Sequence, residues 1–443
     1  MFGLFAPTCP LETAEKAWVE RRMRWLAERL GPSRLLDATV VLPTDAFFPG
    51  PYWPNEVCAR HVLDHVCGYM QVNPRSLTLT VLPDEAMPGA VGLYQRRARP
   101  GPSRRTKANI FVAASELADP PSLIATLAHE VGHEILLGGG LLSEESTDHE
   151  QVTDLVTVAL GLGIFNANAT LWESRWNDGA TYSGWTMGRR GYLSVRMFGY
   201  ALGVFAHVRG EAKPTWARYL RPDARGPMKK GLRYLRKASD SLFSPDATCA
   251  ARPTSTPSEL LARLTHRSPT FRLDALWELA QIGADSPDLL AAVCRCLDDP
   301  DQGVRAEAAR TLAIFGPAAR DAIPRLLELV QTEAEVWPCA LPTLVAIGAG
   351  PAVVVAEVAY LLPRKPEHAG LLAKILRDYG PAAGPAIPAL MDAFGRELAS
   401  GQVGEVLAAV RELVPDLEAR ARKHFARDPE LLQHALWELR HAE

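Results

Sequence analysis

The sequence has no paired cysteine pattern, no long apolar run and no strong excess of one charge, and each absence excludes a class of protein. The seven cysteines are an odd number, widely scattered and without a Cys-x-x-Cys pair, which argues against a disulfide framework and for a reducing compartment. The longest apolar run, 155–165, is too short to cross a bilayer. The start of the chain lacks the basic region of a signal peptide. We therefore expect a soluble cytoplasmic protein that has no membrane partner.

The overall composition is that of a globular protein. Its 443 residues are 47% hydrophobic and 22% charged, which is enough apolar material for two or three domains. Residues 1–243 contain 28 Lys and Arg against 24 Asp and Glu, a net charge of +4, and the remainder contains 20 against 27, a net charge of -7. Nucleic-acid-binding domains are usually strongly basic, so we expect no nucleic-acid partner.

A repeat occupies the C-terminal part of the chain. Four similar strings have glycines at Gly283, Gly316, Gly348 and Gly380, so that successive glycines are 33, 32 and 32 residues apart. A less regular fifth unit follows at 411–420. A repeat of this length is typical of a solenoid.

Each repeat is predicted to form two helices joined by a tight turn. Within 304–330, apolar residues recur at helical spacing on both sides of Gly316 and Pro317, a pair that commonly ends a helix. One helix pair cannot bury its apolar face alone, but stacked pairs can. The pattern resembles short HEAT repeats. The resemblance implies an all-α solenoid of about five repeats over 260–443 that binds a protein partner.

The segment between the two parts of the chain is predicted to be a linker. Residues 244–259 are rich in Pro, Ser, Thr and Ala and show no apolar periodicity. The chain is therefore expected to contain one domain over 1–243 and a second over 260–443.

The first part of the chain combines predicted strands with predicted helices. The predicted strands occupy 35–45, 76–85, 89–97 and 107–113. A helical pattern lies at 55–70, and longer helical patterns follow the strands. Strands that come first and helices that follow indicate an α+β domain.

The motif His-Glu-x-x-His occurs at 129–133 on a helix that is predicted to begin after Asp119 and to end at a run of glycines. Positions four apart share one face of a helix, so His129 and His133 can bind one zinc ion. Glu130 lies beside that ion, where it can take a proton from a bound water molecule. The motif predicts a zinc centre, although a surface helix with two histidines remains the alternative.

A second predicted helix, 148–165, supplies the third ligand that catalytic zinc needs. Glu150 and Asp154 lie four residues apart on one of its faces, and carboxylates held next to an apolar helix need a partner. Glu150 is the predicted zinc ligand, and Asp154 is expected to bind the free ring nitrogen of a histidine ligand. His149 and Glu145 remain open as alternative third ligands.

His-Glu-x-x-His followed by a helix with Glu-x-x-x-Asp resembles the thermolysin-like zinc metallopeptidases, the gluzincins. The resemblance implies that His129, His133 and Glu150 bind zinc, that Glu130 is the general base, and that Asp154 supports a histidine. The function that it implies is hydrolysis of a peptide bond by a zincin-like domain.

The resemblance covers only part of the first domain, about 107–165. It implies that the strand 107–113 is the edge at which a peptide substrate pairs. The distance along the chain from His133 to Glu150 is short for this family, and the third histidine of the metzincins is absent, because no histidine occurs six residues after His133.

A peptidase of this kind also needs a group that stabilises the oxyanion. Tyr192, Tyr200 and His207 are the candidates, and Tyr192 and His207 are our predicted catalytic partners of Glu130. The alternative is that these three are core residues of a predicted helix at 191–209.

Two further functional hypotheses stay open at this stage. The protein could be a non-catalytic binding scaffold with a structural or vestigial zinc site, or a metal-free adaptor in which the motif is a coincidence. Cys58, His61 and His65 could in principle bind a second metal, but we interpret them as scattered positions on a soluble helix because the sequence offers no fourth ligand nearby.

Overall fold

The computed structural model describes residues 7–87, 90–96, 107–177, 183–189, 192–243, 255–283, 286–400, 404–414 and 416–441, and within 171–177 and 183–189 it describes the backbone. The chain divides into two compact units, Met1–Thr254 and Ser255–Glu443. The described part of the chain contains no helix that is both long and apolar enough to cross a membrane.

The first unit is mostly helical and contains a small sheet and a hairpin. Its helices are α1 (Thr13–Leu30), α2 (Pro32–Leu36), α3 (Glu56–Tyr69), α4 (Pro120–His133), α5 (His149–Ala159), α6 (Gly163–Ala169), α7 (Val195–Val208) and α8 (Pro222–Leu235). Its strands are β1 (Leu77–Leu82), β2 (Gly92–Gln95), β3 (Ala108–Ala113), β4 (Leu171–Asn177) and β5 (Ser183–Arg189).

The three-stranded sheet has the order β1-β3-β2. β1 runs parallel to β3, and β2 runs antiparallel to it, with Tyr94 opposite Ile110. The expectation that 107–113 is an edge strand is therefore wrong, because this segment is the central strand and β2 is at the edge next to α4. Side chains along β3 alternate between buried and half-buried positions. Edge strands and central strands show the same alternation, so the sequence pattern could not distinguish between them.

Helix α4 lies at the centre of the first unit. It packs against α3, α5 and α6 and against the edge strand β2. Leu123, Leu127, Ala128 and Val131 are fully buried. The helix begins with Pro120 and Pro121 in its first turn and continues beyond His133 as a wider turn, Glu134–Gly138. The motif is therefore held in a rigid, closely packed element.

The structure differs from the predictions for the segments 35–45 and 148–165, and a contact between these two segments explains both differences. The segment 35–45 is not a strand, because α2 ends at Leu36 and irregular chain follows, and the predicted helix 148–165 is two helices, α5 and α6. Between these helices Gly161 has a φ of 89°, and Val41 donates its backbone N–H to the Gly161 carbonyl at 2.9 Å. A β-carbon at position 161 would lie 2.1 Å from the carbonyl oxygen of Thr39. The apolar residues of this segment are thus a loop that packs into the break between two helices.

Helix α1 was not predicted. It buries charged residues along with apolar ones, because Lys16 and Glu20 form an ion pair at 3.5 Å and are both almost fully buried. Polar residues in the buried face weaken the apolar periodicity from which a helix is normally recognised. α1 packs against α5 and α7 and so supports α5, the helix that carries Glu150 and Asp154.

The second unit consists of helices in succession. They are α9 (Pro257–Leu264), α10 (Pro269–Ile282), α11 (Pro287–Cys296), α12 (Gln302–Leu312), α13 (Ile323–Thr332), α14 (Trp337–Ala346), α15 (Pro351–Leu361), α16 (Ala369–Tyr379), α17 (Ile387–Ser400), α18 (Glu405–Leu413), α19 (Leu417–His424) and α20 (Pro429–His441). The predicted linker 244–259 extends too far, because Thr256 and Glu259 form a capping box that starts α9 at Pro257. Residues 244–254 of that segment lie outside the described residues.

The repeat glycines have a common conformation. Gly283, Gly316, Gly348 and Gly380 follow α10, α12, α14 and α16, and their φ values are 63°, 51°, 80° and 53°. A positive φ is unfavourable for a residue that has a β-carbon, so glycine recurs at the end of the first helix in these four repeats. The repeat that is visible in the sequence is therefore a repeat of this turn.

Candidate metal centre

Helices α4 and α5 bring three ligand-bearing side chains together. One atom each of His129, His133 and Glu150 lie within 4.8 Å of one another. Nε2 of His129 is 3.1 Å from Oε2 of Glu150, and Nε2 of His133 is 3.3 Å from the same oxygen. Two ring nitrogens and a carboxylate oxygen that converge in this way are a donor set that zinc prefers, and they leave a fourth position open.

Asp154 orients the first histidine. Its Oδ1 lies 2.9 Å from Nδ1 of His129, and its Oδ2 accepts the backbone N–H groups of Tyr192 and Leu193 at 2.8 and 3.0 Å. A carboxylate that accepts two backbone hydrogen bonds is held as an acceptor, so it receives the Nδ1 hydrogen of His129, and Nε2 is the ring nitrogen that a metal ion could bind. Asp154 is almost fully buried.

Thr153 gives the second histidine the same tautomer. Its hydroxyl donates to the backbone carbonyl of His149 at 2.8 Å and lies 3.4 Å from Nδ1 of His133. Since the hydroxyl hydrogen is committed to that carbonyl, Thr153 faces His133 as an acceptor, and Nε2 of His133 is the ring nitrogen without a hydrogen. The ring of Tyr94 stacks on His133 with the centroids 5.8 Å apart.

Burial and mutual hydrogen bonds shift the pKa values of the three candidate ligands. Burial lowers the pKa of His129, but the hydrogen bonds that its ring donates to Asp154 and Glu150 outweigh burial and raise the pKa to about 10. Burial lowers the pKa of His133. Burial alone would raise the pKa of Glu150, but the two histidines hold it well below its usual range. A metal ion bound between these groups would displace the proton from His129 and supply the positive charge in its place.

Glu130 is a buried carboxyl group, and one of its oxygens lacks a hydrogen-bond partner among the described residues. It is 5% exposed, and burial, reinforced by the charge of Glu150, raises its pKa to about 7. Its Oε2 has no hydrogen-bond partner among the described residues. Buried polar atoms are normally satisfied, so a carboxyl oxygen in this state next to three convergent ligands fits a zinc ion and its water molecule. The residues of this centre therefore fit the predicted metal.

A cavity of about 350 Å³ opens beside His129 and Glu130. Its wall is formed by Ala90, Val91, Gly92, Ser122, Ala125, Thr126, His129, Glu130, Asp154, Asn166, Ala169, Tyr192 and Phe198. Residues from the edge strand region, α4, α6 and α7 thus surround a space next to the candidate ligands.

The predicted oxyanion groups have three different positions. Tyr192 lies at the site, with its ring stacked on His129 at 5.9 Å and its side chain half-exposed. Tyr200 is fully buried and donates to Oε1 of Glu20. It is therefore a core residue, which was the alternative interpretation. His207 lies on α7, where burial and the charge of Arg236 lower its pKa, and it is not part of the cavity wall.

The alternative third ligands lie outside the group of converging atoms. His149 has Nδ1 2.8 Å from the carbonyl of Ser146 and Nε2 3.3 Å from the other oxygen of Glu150, Oε1. Glu145 is exposed in the loop before α5. Cys58, His61 and His65 line a separate cavity of about 300 Å³, and the one cluster of metal-ligating groups found among the described residues is that of His129, His133 and Glu150.

Several residues that hold α5 in place were not predicted from the sequence. Nε and Nη2 of Arg22 on α1 each donate to the carboxylate of Asp148 at 2.7 Å, and the indole of Trp18 donates to the same carboxylate at 3.0 Å. Asp148 immediately precedes α5, so this contact anchors the helix that carries Glu150. These residues are more than a hundred positions apart in the chain, and no local signal connects them.

Comparison with known proteins gives one match, in the first part of the repeat region. Residues 257–337 match the model of a family described as HEAT repeats, which confirms the predicted repeats over that range and indicates a protein-binding role. No curated protein matches the chain, and no solved structure matches it.

Proposed function

We propose that this protein is a zinc-dependent metallopeptidase with a zincin-like first domain and a HEAT-repeat domain that binds a protein. The observation that carries the proposal is the convergence of two histidine nitrogens and a carboxylate oxygen beside a buried carboxyl group, Glu130, with an unpartnered oxygen. A purely structural zinc site is closed by four protein ligands, and such a site has no use for a fifth polar group held next to it.

His129, His133 and Glu150 would hold the zinc ion. When bound, zinc lowers the pKa of a water molecule and polarises the carbonyl group of the substrate. Asp154 and Thr153 keep the two histidines in the tautomer that presents Nε2. Such supporting contacts raise the basicity of the ligands and fix their orientation.

Glu130 would be the general base and then the general acid. Its buried position beside the three converging ligands would let it accept a proton from the attacking water and deliver that proton to the leaving nitrogen. Tyr192 is the group at the site that can donate a hydrogen bond to the oxyanion, because its ring lies on His129 and its pKa is raised by burial so that it keeps its proton.

The edge strand β2 would bind the peptide. Among the described residues its one partner in the sheet is β3, and Gly92 at its start forms part of the cavity wall. An extended peptide can add to such an edge through backbone hydrogen bonds. The HEAT repeats would recruit the substrate protein or a regulator, in the cytoplasm, without a nucleic acid or a membrane as partner.

The test is a comparison of wild-type protein with a Glu130→Gln variant. Metal content is measured by mass spectrometry on protein purified without added metal, and cleavage is measured on a mixed peptide library. We expect about one zinc per chain in both proteins and cleavage by the wild type alone, with a loss of at least about a hundredfold in the variant. Zinc without cleavage by the wild type would instead indicate a scaffold with a structural zinc site, and absence of zinc would reduce the motif to a coincidence.

A further inference from the structure

The turn that follows the motif is tied to the edge strand by three side chains that the proposed chemistry does not use. Glu134 begins this turn, and Tyr94 and Arg96 lie in β2 and directly after it. In the part of the chain that the structure describes, none of the three belongs to the metal-ligating cluster or to the wall of the cavity beside it. Their contacts lead to His133, the candidate ligand that directly precedes Glu134.

The carboxylate of Glu134 is bound at both oxygens. The hydroxyl of Tyr94 donates to Oε2 at 2.6 Å, and Nη2 of Arg96 donates to Oε1 at 3.1 Å. Nη1 of Arg96 donates to the backbone carbonyl of Gly138 at 2.6 Å, at the far end of the same turn. The Glu134 side chain is 11% exposed, and hydrogen bonds to a carboxylate are among the stronger ones in proteins. The strand is therefore joined to the turn at both ends of the turn.

Gly138 leaves room for this contact. A β-carbon at position 138 would lie 2.5 Å from Oε2 of Glu134 and 2.8 Å from the hydroxyl oxygen of Tyr94. The two side chains could move away from it only by giving up their hydrogen bond. The space between strand and turn is thus matched to the pair formed by Tyr94 and Glu134.

The ring of Tyr94 is held at two ends. Its backbone lies opposite Ile110 in the sheet, and its hydroxyl is bound to Glu134. Between these two points the ring stacks on that of His133, with centroids 5.8 Å apart and an angle of 27° between the planes. Such a separation is typical of attractive ring pairs. One face of His133 therefore lies against a ring whose position is fixed.

The two candidate histidine ligands are held differently. Nδ1 of His129 lies 2.9 Å from the buried carboxylate of Asp154, which makes a charge-assisted hydrogen bond. Nδ1 of His133 lies 3.4 Å from the neutral hydroxyl of Thr153, a longer and weaker contact. The orientation of His133 therefore depends more on what packs against its face, and Tyr94 is stacked there.

We propose that Tyr94 is a positioning residue for the zinc ligand His133. Glu134 and Arg96 hold Tyr94 in place, so the strand that is proposed to bind the peptide also fixes one of the metal ligands. This inference rests on the proposed function in one respect, because it takes His133 to be a ligand of zinc. Contacts that orient a metal ligand typically contribute about tenfold to a hundredfold to metal affinity.

The test measures zinc affinity, which needs no substrate. The dissociation constant of zinc is determined for the full chain by competition with a chromophoric chelator. Tyr94→Leu removes both the ring and the hydroxyl and should weaken zinc binding at least about tenfold. Tyr94→Phe keeps the stacked ring and loses only the hydrogen bond, so its affinity should stay within about threefold of wild type. An unchanged affinity in the Tyr94→Leu protein would overturn the proposal.

Tyr69→Leu is the matched control. Tyr69 lies on α3 in the same unit, is half-buried like Tyr94, and donates its hydroxyl to the carbonyl of Phe47 at 2.6 Å. Both leucine variants lose a half-buried ring and one hydrogen bond, so urea unfolding of the metal-free proteins should show similar losses of stability. Only Tyr94→Leu should weaken zinc binding. An equal loss of zinc affinity in the Tyr69→Leu protein would indicate a general effect of destabilisation and would overturn the proposal.

A double-mutant cycle follows the contact to its anchor. Glu134→Ala should weaken zinc binding at least about threefold in the wild-type background and have little further effect in the Tyr94→Leu protein, because its action passes through the ring of Tyr94. The same loss in both backgrounds would show that the charge of Glu134 acts on zinc directly, and would overturn its role as the anchor.

The two proposals can fail independently. A wild-type protein that binds zinc but cleaves no peptide, with weakened binding in the Tyr94→Leu variant, keeps the positioning residue and overturns the metallopeptidase. Cleavage by the wild type together with undiminished zinc affinity in the Tyr94→Leu variant keeps the metallopeptidase and overturns the positioning residue. A wild-type protein that binds no zinc overturns both.

Discussion

Gly92 of the edge strand and Glu130 of the motif lie so close together that a β-carbon on Gly92 would stand 2.5 Å from Oε1 of Glu130. The same β-carbon would stand 2.6 Å from a methyl group of Thr126. Glu130 is 5% exposed and has little room to move away. The absence of a side chain at position 92 therefore positions the carboxyl group that we propose as the base.

Gly92→Ala should abolish hydrolysis without removing the metal. The added methyl group would displace the Glu130 carboxyl group, and a displacement of about 1 Å can lower a rate about a hundredfold. Peptide cleavage and zinc content are the two measurements. Gly68→Ala is the control, because a β-carbon at position 68 in α3 would meet no atom within 4 Å. Full activity of the Gly92→Ala protein would show that Glu130 is not held by this contact.

Removal of zinc should destabilise the first unit. Metal that binds only the folded state adds about 4 kcal/mol at a free concentration a thousand times its dissociation constant. We therefore expect a chelator to lower the unfolding temperature of wild-type protein and to have little effect on a His133→Ala variant. A His424→Ala variant serves as the control, since His424 is paired with Asp392 in the second unit. An unfolding temperature that the chelator leaves unchanged would contradict the metal site.

The contact between Arg22 and Asp148 should tune zinc affinity from a distance. Arg22→Met would release the start of α5 and loosen the position of Glu150, so we expect zinc to bind about tenfold more weakly, the low end of the range for residues that support metal ligands. The dissociation constant is measured by competition with a chromophoric chelator. Arg24→Met is the matched control on the same helix, because Arg24 pairs with Glu28 and donates to the carbonyl of Leu242. Equal losses in both variants would indicate a general effect on α1.

Glu20 should make stability depend on pH. Burial raises its pKa above the ordinary value of 4.5, against the opposing charge of Lys16 and hydrogen bonds from Tyr200 and Leu242. The folded state then holds the proton more tightly than the unfolded state, so the stability contributed by protonated Glu20 is present at low pH and is lost as the pH rises through the raised pKa.

Glu20→Gln should remove this dependence. Urea unfolding at about pH 5 and about pH 8 should show that the variant gains stability relative to wild type as the pH rises. Glu28→Gln is the control, since Glu28 is partly exposed and pairs with Arg24. A stability difference between the Glu20→Gln variant and wild type that is the same at both pH values would refute the prediction.

Local sequence patterns were informative where structure is local. The helix that carries His129 and His133, the start of the helix that carries Glu150 and Asp154, and the repeated helix pairs all appear where the periodicity and the glycines predicted them. In each case the signal lies within about one or two helical turns, and helix geometry alone determines which residues share a face.

Sequence patterns failed where a distant segment decides the structure. The segment 35–45 is apolar because it packs into the break at Gly161, and the central position of β3 depends on the pairing of both β1 and β2 with it. His207 and Tyr200 were plausible oxyanion groups by residue type, yet α7 places Tyr200 against Glu20 and His207 near Arg236.

The sequence by itself determined that one helix carries two histidines and a glutamate at ligand spacing, that a second helix carries two carboxylates, and that a repeat of about 32 residues follows. These properties depend on neighbours along the chain. Only the tertiary structure decided that Glu150 reaches both histidines, that Gly92 makes room for Glu130, and that Arg22 anchors α5 through Asp148. These contacts join segments that are separated by tens to more than a hundred residues, and their formation depends on how complete elements pack, which local periodicity does not encode.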